Sequence, residues 1–297
     1  MTPATPVVLL VLALALTGPG PAALARARWP LRAPRAALVF WQAMALSALL
    51  AALGAGLSAA TLVLVYQDPH PVVVALHSAA LLLTLVVVAR LLWSAHTLGT
   101  ALRAGRRRQR HLVDLLGRAD ARAPGADVLD AERPLAYCIP GVPSRVVIST
   151  PAIDRLADDE VTAVLAHERA HARARHDLVL EAFAVLHNAF PRFVRSRTAL
   201  DATAGLVEML ADDAARRRSG DVPLARALAG LSTAPAPPGA LAATSVTPAA
   251  RIRRLAHVPA SAPLVSAPAY LAAAALFAIP TVAVAVPWLS AVTASLT

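Results

Sequence analysis

Four stretches of the chain are apolar on all sides rather than along one face: Pro6 to Leu24, Ala37 to Tyr66, Pro71 to Leu92 and Ala267 to Leu289. Each is near the roughly 20 residues a helix needs to cross a bilayer's hydrocarbon core, so each predicts a membrane span. Between the third and fourth the pattern changes. Tyr137 to Gly141 and Arg145 to Ser149 are short strand-like runs around a Pro-Gly turn, which predicts a β-hairpin. Thr150-Pro151 then opens a helical stretch, with Asp154, Asp158, Asp159 and Glu160 near its front and the apolar run Val161 to Ala166 leading on toward Leu186. A second helix is expected over Ala202 to Arg218, closed by Ser219-Gly220, and the Pro-rich Ala234 to Gly239 reads as a loop. The chain thus divides into an N-terminal membrane region (1–100), a water-facing domain (101–260) and a C-terminal membrane helix (261–297).

Composition agrees with this division. At 57% hydrophobic, the 297 residues exceed the 45–50% usual for a soluble domain, so part of the chain belongs in lipid. The net charge of +10 comes with 28 basic residues that are all arginine and only 4% aromatics to stack on bases. Direct nucleic-acid binding is therefore not expected, and the arginines are read as orienting the chain in the bilayer. Arg26, Arg28, Arg32 and Arg35 follow the first span with no acid among them. The Gln67-Asp68-Pro69-His70 turn after the second span has no arginine, and the Arg106 to Arg110 cluster follows the third. Positive loops stay inside, which places the middle domain on the cytoplasmic side of a multi-pass cell-membrane protein. One alternative stays open for the first segment. Gly18 to Pro21 interrupt it and Ala23-Leu24-Ala25 resembles a signal-peptidase site, but Met1 to Pro6 carries no basic residue of the kind a signal peptide has. The single cysteine, Cys138, excludes an internal disulfide and a cysteine-rich zinc cage.

Any metal site must then use histidines and carboxylates, and one pattern offers them. His167-Glu168-Arg169-Ala170-His171 puts two imidazoles four residues apart, on one face of a helix, where both can grip one ion. In such a site the histidines hold Zn2+ and the glutamate, here Glu168, takes a proton from the attacking water. The second helix supplies Glu208, a candidate third ligand that leaves a fourth position open. Asp212 shares its face and is a candidate to orient a ligand histidine, or else pairs with Arg216 at i+4.

These features resemble the BlaR/MecR-type family of integral-membrane zinc metallopeptidases, related to the HtpX and CAAX prenyl proteases. The shared pattern comprises the early spans, the Pro-Gly hairpin before Val146-Val147-Ile148, the His167 to His171 motif, Phe190-Pro191, Glu208 to Asp213, and a last span after Arg251-Ile252-Arg253-Arg254-Leu255. The resemblance implies a mainly α membrane protein of about four transmembrane helices, with a zincin-like α+β metallopeptidase domain between spans three and four. It implies a zinc metalloendopeptidase with Glu168 as general base and His167, His171 and Glu208 as ligands. Two departures stand out. Where many relatives carry an aspartate, five positions after the second motif histidine, this chain has His176, with Asp177 next, so both are candidates for orienting His171. Where HtpX-like cousins have His-Pro, it has Thr247-Pro248, which leaves Arg251, His187 or Tyr137 as candidate transition-state contacts. Each also has a plain structural reading, as a membrane-edge anchor, a helix-end histidine and a half-buried strand residue.

The substrate expected is a protein, held as an extended strand along the edge of Val146 to Ser149. In BlaR/MecR relatives it is a transcriptional repressor. The chain ends soon after the fourth span, so the extracellular penicillin-binding sensor of those relatives is expected to be missing. The rival readings are an HtpX-like quality-control protease and a non-catalytic membrane scaffold that retains the metal site. An intact Glu168 argues against the second.

Overall fold

The computed structural model of the protein describes residues 4–65, 70–190, 197–231, 246–257 and 263–296. Tyr66, the Gln67 to Pro69 part of the predicted turn, Pro191 and the Pro-rich Ala234 to Gly239 lie outside them. The chain forms two compact units. One takes Met1–Trp93, Ala189–Pro191 and Pro263–Thr297, and the other takes Ser94–Asn188 and Arg192–Ala262.

The first unit is helical. Helices α1 (Thr5–Thr17) and α2 (Pro19–Arg26) meet at Gly18, where Pro19 has no N–H to continue the hydrogen-bond ladder. A 3₁₀ turn (Trp29–Leu31) leads into α3 (Pro34–Val65), and α11 (Pro263–Leu296) packs on α3 from the other end of the chain. Small residues let these helices approach. Leu9 and Ala13 pack on Ala51 and Ala55, and Ala33 and Ala36 on Ala269. The Ser47 hydroxyl donates to Leu276 O at 2.9 Å. Large apolar side chains such as Val7, Leu10, Leu82, Leu83 and Leu271 are exposed. Among the described residues, four stretches are long and apolar enough to cross a membrane: Thr5–Arg26, Pro34–Ala60, the apolar part of α4 (Pro71–Leu116) and Pro263–Val282. The third predicted span therefore lies in a longer helix. Nothing between Leu92 and Leu116 breaks it, because arginine and leucine favour helix.

Among the described residues, the second unit holds the last part of α4, a three-stranded sheet and six helices. Strands β2 (Ala136–Ile139) and β3 (Arg145–Ser149) form the expected antiparallel hairpin, and β1 (Asp127–Leu129) adds in parallel on the other side of β3. The order β1-β3-β2 corrects one expectation, because β3 is the central strand and cannot offer an edge to a peptide. The physical reason is its burial: Val146, Val147, Ile148 and Ser149 are all shielded, and a strand covered on both faces also pairs on both sides. The second edge of β2 is unpaired among the described residues. Leu135 O accepts the Ser149 N–H at 2.9 Å, so odd-numbered residues face β3 while Ala136 and Cys138 turn their N–H and C=O outward.

The helical stretch predicted to run from Thr150 toward Leu186 is three helices. They are α5 (Thr150–Arg155), α6 (Asp158–Ala174) and α7 (His176–Ala189). Leu156 and Ala157 are extended and begin α6, where Glu160 Oε2 accepts the Ala157 N–H at 3.0 Å and three acids face the positive end of the helix dipole. Arg175 ends α6 in the left-handed region, at φ 51° and ψ 44°. The predicted helix at Ala202 appears as α8 (Thr198–Ser219), followed by Gly220 at φ 82°, and α9 (Asp221–Leu231) and α10 (Pro248–His257) complete the unit. Helix α6 lies at the centre. Val161, Val164 and Leu165 pack with Val128, Ile148 and Ile153, while Ala163 and Ala166 pack with Ala215, Leu224 and Leu255.

Candidate metal centre

His167 and His171 stand one turn apart on α6, their rings edge-to-face with centroids 4.8 Å apart and their Nε2 atoms 3.1 Å apart. Helix α8 packs on α6 and brings Glu208 to the same point. Glu208 Oε2 is 3.4 Å from His167 Nε2, and Oε1 is 3.5 Å from His171 Nε2. One ligand atom from each of the three residues lies within 4.8 Å of the others.

The second nitrogen of each ring faces a different partner. Buried His167 Nδ1 has no well-aligned hydrogen bond, and the group opposite it is the Asp212 carboxylate, with Oδ1 3.0 Å away. His171 Nδ1 lies 3.1 Å from Nδ1 of His176. Glu168 sits beside the pair and accepts the outward-facing backbone N–H of Cys138 on β2.

Electrostatics tests whether a cation fits. Burial disfavours charge on His167, but the Asp212 and Glu208 carboxylates outweigh it and hold the ring up at about 10. Burial, then charged His167, pushes His171 down to about 3. Burial also opposes a charge on Glu208, yet contact with His167 keeps it well below the usual carboxylate range. The carboxylates of Glu208 and Asp212 thus favour a positive charge at the point where the three side chains meet. Two imidazoles and a carboxylate are the donors of a catalytic zinc site, so the residues present fit the ion. Glu168, by contrast, is raised to about 7, first by burial, with Glu208 adding to it against the pull of His167 and Arg251.

Residues 103–229 match the model of Peptidase family M48. The match supports a metallopeptidase, a hydrolase whose substrate is a protein. It spans His167, Glu168, His171, His176, Glu208 and Asp212, and ends before α10. Comparison of the chain with curated proteins and with solved structures finds no match.

Outside the M48 match, α10 adds two arginines. Arg251 donates to Asp212 from Nε at 2.8 Å and from Nη2 at 2.6 Å, and its Nη1 lies 2.9 Å from Glu208 Oε2. Arg254 makes a second two-pronged pair, buried, with Asp213 at 2.8 Å for each contact. Of the residues proposed from sequence, the structure gathers His167, Glu168, His171, His176, Glu208, Asp212 and Arg251 around one point. Asp177 turns aside, with Oδ2 3.7 Å from Arg106 Nη2 and Oδ1 3.6 Å from Arg175 Nε. Tyr137 packs its ring against Val113, Ile139 and Val147, on the face of β2 opposite Cys138. His187 lies near the far end of α7, about 16 Å of helix beyond His176. Asp213, Arg254 and the Cys138 N–H were missed. The adjacent acids Asp212-Asp213 and the arginines three apart on α10 were the available signal for the first two.

Proposed function

We propose that this protein is a membrane-embedded zinc endopeptidase of the BlaR/MecR type, with its peptidase domain (101–260) on the cytoplasmic side between membrane regions 1–100 and 261–297. The observation that carries the reading is the convergence of His167, His171 and Glu208 beside a carboxyl, Glu168, raised to about 7. His167, His171 and Glu208 would hold the metal, and when bound it supplies Lewis acidity to the scissile carbonyl and the attacking water. Glu168, near neutrality, takes the water's proton and returns it to the leaving amide nitrogen. Asp212 holds His167 with its proton on Nδ1, which leaves Nε2 as the ligand atom. Arg251 ties Glu208 and Asp212 together and offsets their charge.

An extended peptide fits the outward edge of β2 through the N–H and C=O of Ala136 and the C=O of Cys138, next to the Cys138 N–H that Glu168 accepts. The arginine asymmetry of the loops supports the cytoplasmic placement, the apolar spans make the lipid bilayer a partner, and a repressor protein is the substrate in the BlaR/MecR reading. The test is the zinc content of the detergent-purified full chain. About one zinc per chain is expected, lost in His167→Ala and kept in Glu168→Gln. A well-folded wild type without zinc rejects the reading.

A further inference from the structure

The partner of His171 is decided by the break between α6 and α7. On an uninterrupted helix a residue five positions on lies about 140° around the axis and would face away. Arg175, at φ 51°, turns the chain instead, so that the first residue of α7 folds back on His171. The rings of His171 and His176 meet edge-to-face, centroids 5.0 Å apart and planes at 85°, with the two Nδ1 atoms 3.1 Å apart. His176 is 5% exposed. The neighbouring Asp177 carboxylate is directed at Arg106 and Arg175.

We infer that His176 is the positioning residue for His171: an imidazole, and not the adjacent carboxylate, fixes which nitrogen His171 presents to the metal. The inference rests on the zinc reading above. Two nitrogens 3.1 Å apart share one proton. A His171 that offers Nε2 as ligand carries its proton on Nδ1, so Nδ1 of His176 accepts it and His176 keeps its own proton on Nε2. Because this acceptor is neutral, His171 is held by a hydrogen bond alone, whereas His167 faces a carboxylate.

The test is the zinc affinity of the full chain in detergent, measured by chelator competition, with the visible spectrum of the Co2+-loaded protein as a second readout. His176→Phe, which keeps a ring but has no acceptor, is expected to weaken zinc about 10–100-fold and shift the Co2+ bands. His176→Asp, which restores an acceptor, is expected to bind zinc at least as tightly as the wild type. Asp177→Asn is expected to stay within about threefold, since its carboxylate faces away from His171. Should His176→Phe fail to fold, a tenfold loss in His176→Asp overturns the inference by itself. Zinc-binding wild type with an unaffected His176→Phe also overturns it, as does an Asp177→Asn loss matching that of His176→Phe. A wild type that binds no zinc overturns the functional reading, and this inference with it.

Discussion

His167 and His171 are held in opposite ways, although they come from one helix and one motif. On the side of α8 and α10, His167 faces Asp212, which Arg251 grips with two hydrogen bonds, and the Arg254–Asp213 pair lies alongside. On the side of the α6–α7 turn, Nδ1 of His171 faces the His176 ring in place of a carboxylate. A charged cradle adds affinity for a cation but depends on every partner, because a buried charge left alone costs far more than the pair contributes. A neutral partner adds orientation and tolerates replacement better.

The strongest way to break the comparison is to strip one member from the charged side. Arg254→Met leaves Asp213 buried and unpaired, and is expected to lower stability by about 3–5 kcal/mol, read as a fall in the unfolding midpoint. Combining it with Asp213→Leu should recover most of that loss, since two apolar groups replace the pair. Asp212→Asn keeps the shape beside His167 but removes the charge. It is expected to weaken zinc by about 100-fold, the upper end of what outer partners of a ligand contribute. A loss no larger than that of His176→Phe would mean that charge adds nothing beyond orientation.

The smallest expected effect sharpens the comparison from between the two sides. Burial raises Glu168 from its ordinary 4.5 to about 7. In the metal-free protein its protonated form is favoured by the fold, so the stability it contributes is full below about pH 4.5 and is lost as pH rises through about 7. Glu168→Gln, which cannot ionise, should match the wild type near pH 4.5 and exceed it at pH 8 by about 2 kcal/mol, less than the full shift would give because Glu168 keeps some contact with solvent. Equal midpoints at both pH values would show that burial does not hold the Glu168 carboxyl protonated.

The site was more legible than the frame that supports it. His167 and His171 were readable because a helix repeats every 3.6 residues, and Glu208 because the resemblance to membrane zinc metallopeptidases extends to the Glu208 to Asp213 segment. Four membrane-length stretches were readable from unbroken apolar runs. The α6–α7 break was hidden, because an arginine in the left-handed region has no compositional signature, and the stretch looked like one helix. Strand β1 was hidden because three residues pairing in parallel with a distant strand leave no local pattern, and so β3 was mistaken for an edge.

By itself, then, the sequence determined what is periodic and local: the apolar spans, the spacing of two imidazoles on one helix face, and the glutamate between them. Only the tertiary structure decided the partners. It placed Asp212 beside His167, His176 beside His171 and Arg251 across Asp212 and Glu208. Those contacts depend on helix packing and on one backbone reversal at Arg175, and interactions between residues far apart in the chain are set by how buried surfaces fit together, not by the order of residues along it.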